Sequence, residues 1–175
     1  MKSIIKGQYA LLLTLCCGLF SASVSANSTR IDIYGTVIAS PCVVNGGQDS
    51  LSVPLGDNIQ ADSLAAAGSA TDWANFTLAL TACPASTSSF SVKFTGTPDG
   101  DDATMYANTG TATNLKLELA TQDASATLNN EMSLDDITIP SSHAYDLLLR
   151  ARAVSKGSVM PGSIIGQVQA TFTYQ

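Results

Sequence analysis

Few side chains in this sequence could carry chemistry, and their spacing limits what that chemistry could be. The candidates are four cysteines, one histidine, a run of acids and a single tryptophan. His143 follows Ser141 and Ser142, but a serine next to a histidine in sequence does not make a nucleophile with an oriented base. Asp99, Asp101 and Asp102 are calcium ligands by type, yet they lack the further ligands and the terminal Glu of a calcium loop. Asp135-Asp136 reads as a solvated charge pair. Two distant cysteines and one histidine are too few and too scattered for a metal centre. The reading is therefore no catalytic residue, no metal and no cofactor, and a protein that is not an enzyme. Trp73 stands just before a strand-like run and reads as core; its other use would be as a sugar-stacking platform.

The cysteines divide into two pairs. Lys2 and Lys6, then an apolar run from Tyr9 to Phe20, then Val24-Ser25-Ala26 make a leader with cleavage after Ala26. The apolar run is too short for a permanent bilayer anchor. A competing reading, a lipoprotein leader using Cys16 or Cys17, suffers because Leu15 and Cys16 precede them where a small residue is favoured. Residues 1–26 are thus read as a signal peptide, leaving 149 residues for one domain. Removing Lys2 and Lys6 moves the formal charge from −6 to −8, which opposes binding to nucleic acid or to anionic membranes. Cys42 and Cys83 remain, and two cysteines in an oxidising compartment read as one disulfide.

These residues must be positioned by strands, because alternation with period two recurs along the chain. Ile31, Ile33, Val37 and Ala39 share one face opposite Arg30, Asp32, Tyr34 and Thr36. Alternating sets follow at Leu51–Leu55, Phe76–Ala82, Phe90–Phe94, Leu115–Leu119 and Tyr145–Ala153. The last, Ile164, Gly166, Val168, Ala170, Phe172 and Tyr174, is the cleanest. Turn-forming clusters such as Asn45-Gly46-Gly47 and Asn129-Asn130 separate the runs. Ala61–Ala70 alone leans towards helix, for about one turn. Short strands at this spacing predict one antiparallel sandwich. The first alternating run can pair within its own sheet or add to the open edge of another molecule, and periodicity does not separate the two.

Over essentially the whole mature chain the sequence resembles the chaperone–usher pilins, in particular the minor tip subunits of type 1-like fimbriae. Gly35-Thr36-Val37-Ile38-Ala39-Ser40-Pro41-Cys42 is similar to the family's junction between N-terminal extension and first strand. Pro54-Leu55-Gly56-Asp57 resembles the segment after the second strand, and Phe76 to Pro84 the strand carrying the second cysteine. Tyr106 to Leu115 resembles the family's Asn/Gly-rich loop. The penultimate Tyr174, with Gly162 fourteen residues from the end counting inclusively, matches its C-terminal chaperone-recognition pattern.

The resemblance implies an all-β, incomplete immunoglobulin-like sandwich whose final strand is missing and completed in trans, with an N-terminal donor-strand extension. It implies an extension over residues 27–38 and a pilin domain over 39–175. Thr29, Ile31, Ile33, Gly35 and Val37 would be donor positions, with Thr29 standing where an aliphatic residue would bury better. Gly162, Ile164, Val168, Ala170, Phe172 and Tyr174 would form the strand that lines the acceptor groove and meets the chaperone. The implied partners are a periplasmic pilus chaperone, an outer-membrane usher and neighbouring pilin subunits, on a route through the periplasm to a cell-surface fimbrium and without membrane insertion. The runner-up reading is a self-sufficient secreted carbohydrate-binding β-sandwich with Trp73 or Tyr106 as platform.

Overall fold

Eight strands carry the described part of the chain, residues 28–175 of a computed structural model. They are β1 (Val43–Val44), β2 (Ala74–Thr81), β3 (Ser89–Gly96), β4 (Tyr106–Ala107), β5 (Thr113–Thr121), β6 (Ser133–Thr138), β7 (Tyr145–Met160) and β8 (Val168–Tyr174). All pairings are antiparallel. One sheet runs β1-β2-β7-β5-β4, and the other runs β6-β3-β8. Only two short 3-10 turns interrupt this pattern, Asn45–Gly47 and Ala61–Leu64. The leader expected over residues 1–26 lies outside the described residues.

The alternating apolar residues explain the two layers. Phe76, Leu78 and Leu80 of β2, Leu147 and Leu149 of β7, and Leu117 and Leu119 of β5 face Phe90, Val92 and Phe94 of β3. Phe90 is fully buried and meets Tyr145 edge-on at 5.3 Å and Phe172 at 5.8 Å. A second cluster, Leu64, Ala112, Leu115 and Ala153, is bordered by Leu55, Ile59, Val159 and Ile164. Cys42 and Cys83 are both buried and bonded to each other, pinning the start of β1 beside the end of β2. Closing a loop of 41 residues' separation stabilises the fold by about 4 kcal/mol through chain entropy.

Two alternating runs of the sequence do not become strands. Residues 28–38 carry no regular structure, and Ile31, Ile33, Tyr34, Val37 and Ile38 are exposed, Ile33 by 90% and Val37 by 98%. Leu51–Leu55 is likewise irregular. The physical reason is common to both: alternation prepares a strand, but a strand also needs a backbone partner. Residues 28–36 belong to a unit separate from Val37–Gln175.

Candidate functional site

The chemistry available here is backbone hydrogen bonding, and it collects along β8. Ser89 and Gln175 exchange two hydrogen bonds, Ser89 N–H to Gln175 at 3.2 Å and Gln175 N–H to Ser89 at 3.0 Å. Antiparallel ladders alternate, so Gln169, Thr171, Thr173 and Gln175 direct their backbone groups towards β3. Those of Val168, Ala170, Phe172 and Tyr174 therefore point the other way. Within Val37–Gln175 no strand pairs with that side, since β8 ends its sheet.

The free side continues past the start of β8. Ala112 N–H donates to the carbonyl of Ser163 at 3.0 Å, and Thr109 N–H to that of Ile165 at 2.8 Å. Ile165 N–H donates to Asn108 Oδ1 at 2.8 Å, and Ser163 N–H to Thr111 Oγ1 at 2.8 Å. The odd-numbered residues on either side of Gln167 thus have partners, Ser163 and Ile165 in the 108–112 loop and Gln169 to Gln175 in β3. The even-numbered series from Ile164 to Tyr174 faces outward without interruption. Glycines permit the crossover: a Cβ at Gly110 would overlap the carbonyl of Ser163, and one at Gly162 the backbone of Thr111 and Ala112.

Beside this edge lies a groove of ≈ 1900 Å³. Its floor comes from both sheets, with Phe76, Leu117 and Leu149 on one side and Phe94 and Phe172 on the other. The irregular stretch carrying Leu51, Val53, Leu55 and Ile59 lines it too. Tyr106, 2% exposed, fits its ring against Gly96, where a Cβ would stand 2.8 Å from the ring. Its hydroxyl is buried without a hydrogen-bond partner, and burial pushes its pKa up to about 12. Tyr106 is thus a wall of the core, which removes it as an exposed sugar platform. Burial also raises the Tyr174 phenol, against the opposing effect of a backbone hydrogen bond from Cys42.

The strand residues singled out in the sequence come together along this edge. Ala170, Phe172 and Tyr174 are half-buried against the main core, Ile164 borders the second cluster and Val168 is exposed. The acids singled out are held by lysines instead: Lys156 bridges Asp99 (3.0 Å) and Asp101 (2.9 Å), and Lys116 meets Asp102 at 2.7 Å. Among the described residues no group of three or more His, Cys, Asp or Glu gathers as a metal site. His143 is an exposed turn residue whose N–H donates to the Pro140 carbonyl. Trp73 is not in either core cluster. It lies under the guanidinium groups of Arg150 and Arg152, 4.1 and 4.2 Å from its ring centre.

A sandwich with one unpaired edge above an open core has known counterparts. The family profile described as "Fimbrial protein" matches residues 31–175. The chain belongs to the fimbrial protein family. It is 37% identical to the S-fimbrial adhesin protein SfaS of Escherichia coli O6:K15:H31 (strain 536 / UPEC), over 90% of this chain and 91% of that protein. It is 34% identical to protein FimG of Escherichia coli K12, over 93% and 95% of the two chains. The crystal structure of the P pilus rod subunit PapA shares the fold, with TM-score 0.63 and 17% identity over 78% of this chain and all of that one. The molecule is a structural fimbrial subunit, of a kind exported to the cell surface and joined to neighbouring subunits. Its all-β architecture of two antiparallel sheets is that of the pilins.

The close approaches at Gly110 and Gly96 to backbone, and at Gly166 to the Leu117 side chain, escaped sequence reasoning, because nothing in a single sequence says which glycine meets a packed neighbour. The Arg150–Trp73–Arg152 cluster was legible in part. Arg150 and Arg152 alternate with apolar residues and so share the outer face, but the contact with Trp73 needed strand register.

Proposed function

We propose that this subunit is an internal link of its fibre, of the minor or adaptor type, which accepts one strand in its groove and donates its own arm, residues 27–38, to a neighbour. The observation that carries this reading is the unpaired even-numbered edge from Ile164 to Tyr174 above the open groove. An exposed edge of this kind is a template for strand addition. At about 3.3 Å per residue it extends about 33 Å, the length of an eleven-residue strand. The twelve residues 27–38 suffice to cover it.

The arm's side chains suit that use. Thr29, Ile31, Ile33, Gly35 and Val37 fall on one side of an extended chain. On the other, Arg30 and Asp32 pair with each other at 2.6 Å, both in water. Burying one Ile contributes about 1.5–3 kcal/mol, so the two isoleucines supply much of the drive for exchange. A periodic apolar arm with no core of its own and a core with no final strand are complementary parts. In this reading a periplasmic chaperone strand covers the groove first, and the neighbour's arm replaces it at the outer-membrane usher. The activity is assembly, and no catalytic step is assigned.

The test is strand exchange between chaperone-bound subunits in vitro, with an Ile31→Asp/Ile33→Asp variant used once as donor and once as acceptor. The variant is expected to accept a wild-type arm at the normal rate and to fail as donor. Loss of both roles would make the arm part of the subunit's own fold. Survival of both would remove the arm from polymerisation.

A further inference from the structure

The outer face of the five-stranded sheet carries a cluster built around Trp73. Trp73 stands just before β2, and Asn75 and Thr77 follow on the same face. Arg150 pairs in register with Asn75 on one side and Ala120 on the other, and Arg152 pairs with Glu118. Both guanidinium groups lie over the Trp73 ring, at 4.1 and 4.2 Å. The Arg152 Nε–H donates to Glu118 Oε2 at 2.7 Å, which compensates that charge. Among the described residues Arg150 has no carboxylate within salt-bridge reach, and its Nε is buried without a partner. The cluster therefore holds one unspent positive charge, on a chain whose formal net charge is −6.

Its surroundings define what could use that charge. Stacking on an aromatic ring holds a guanidinium flat and limits its rotamers, so less entropy is lost when a ligand binds. One cation–π contact would serve packing alone, whereas a second brings two like charges together over one ring. Asn75 and Thr77 are exposed and neutral, offering an amide and a hydroxyl about 6–7 Å apart along β2. Glu118 flanks Arg152, and the exposed Asp146 lies further along β7. A dense polyanion would meet these acids and the negative field of the whole chain. A single carboxylate set among neutral hydroxyls would not.

We propose that Arg150, oriented by Trp73 and flanked by Asn75, Thr77 and Arg152, forms a binding site for a carboxylated saccharide on the outer face of the sheet. Trp73, Asn75, Thr77 and Arg150 do not line the groove, whereas Arg152 and Glu118 stand at its border as well. Arg150 supplies the charge and a planar fork matched to a carboxylate, and the β2 side chains meet the sugar hydroxyls.

The probe is hyaluronan oligosaccharide, which carries one carboxylate per disaccharide, with dextran as neutral control and dextran sulfate as dense polyanion. The full chain, purified from the periplasm in the complex in which it is exported, is titrated with each. Hyaluronan is expected to bind at least tenfold more tightly than either control. Arg150→Gln is expected to lose at least tenfold, and Arg150→Lys, which keeps the charge but loses the planar fork, to lose most of the same. Glu118→Gln releases Arg152 and is expected to strengthen binding severalfold, a gain that a folding defect cannot imitate. No binding of hyaluronan, equal binding of dextran sulfate, or unchanged binding by Arg150→Gln would each overturn the proposal. Should Arg150→Gln fail to fold, Glu118→Gln decides, and unchanged or weaker binding by it overturns the proposal as well.

Discussion

Gly110 and Gly162 show how much of this subunit rests on single atoms. Neither has the positive φ that usually accounts for a glycine. Each is needed because the 108–112 loop and residues 162–165 approach backbone to backbone. Gly162→Ala would place a methyl group inside the loop backbone, and overpacking of this kind costs about 1–3 kcal/mol. The expected result is a lower unfolding midpoint of the strand-complemented subunit, read by circular dichroism, with Gly100→Ala, where space is open, unchanged. The acids add a second residue-scale effect. The Lys116 ammonium, then Thr104, hold Asp102 well below the usual carboxylate range, at about 2. Hydrogen bonds from Thr121 and Ser125 hold Asp123 at about 2. A carboxylate whose pKa is depressed by folding contributes stability above its unfolded value near 4, and loses it as pH falls through the folded value. The melting temperature should therefore fall between pH 4 and pH 2. In Asp102→Asn/Asp123→Asn that part of the slope should flatten, and an unaltered slope would refute the assignment.

Among elements, legibility followed partnership. The runs with apolar alternation and a partner in the chain became β2, β3, β5, β7 and β8 near their expected places. β1 and β4 have two residues each, too few for any period, and exist because β2 and β5 offer edges to them. β6 was hidden by Asp135-Asp136, with Asp136 at φ 53 and a register shift opposite Phe90 and Val92. Charges and an irregularity of this kind blunt an exposed edge, so the features that erased its period also protect it. Leu51–Leu55 failed in the opposite sense, alternating without a partner. The even-numbered residues from Ile164 to Tyr174 share a face in sequence, and Ile164, Ala170, Phe172 and Tyr174 do pack on the cores, but the change of partner near Gln167 was invisible because it depends on the 108–112 loop. Phe172, which lines the groove, stacks on Tyr174 at 6.4 Å and lies 5.8 Å from Phe90. Half-buried, each ring contributes about 1–2 kcal/mol. Phe172→Ser/Tyr174→Ser should lower periplasmic yield and abolish co-purification with the chaperone, and normal complex formation would exclude a recognition role for this strand.

At the scale of the whole molecule, the sequence carries an apolar N-terminal run and a sheet with an unpaired edge, and among the described residues both are uncovered. Ile31, Ile33 and Val37 are exposed, and so is the even-numbered edge of β8. A ligand that binds the folded state alone stabilises it by RT ln(1 + [L]/Kd), about 2.7 kcal/mol at a hundredfold excess over Kd. A synthetic peptide of residues 28–38, added in trans to the subunit, should therefore raise its melting temperature in a concentration-dependent way. Face matters more than composition in that peptide. One residue inserted between Ile31 and Ile33 moves the outer part of the arm to the opposite side of the strand, while apolar content and charge stay the same. If the groove reads alternating side chains, the inserted peptide should need a much higher concentration for the same shift. Equal shifts from both peptides would mean that the groove takes up any apolar chain. In that case its shape would not set the order of subunits in the fibre, and the choice of neighbour would have to be made before the arm is inserted.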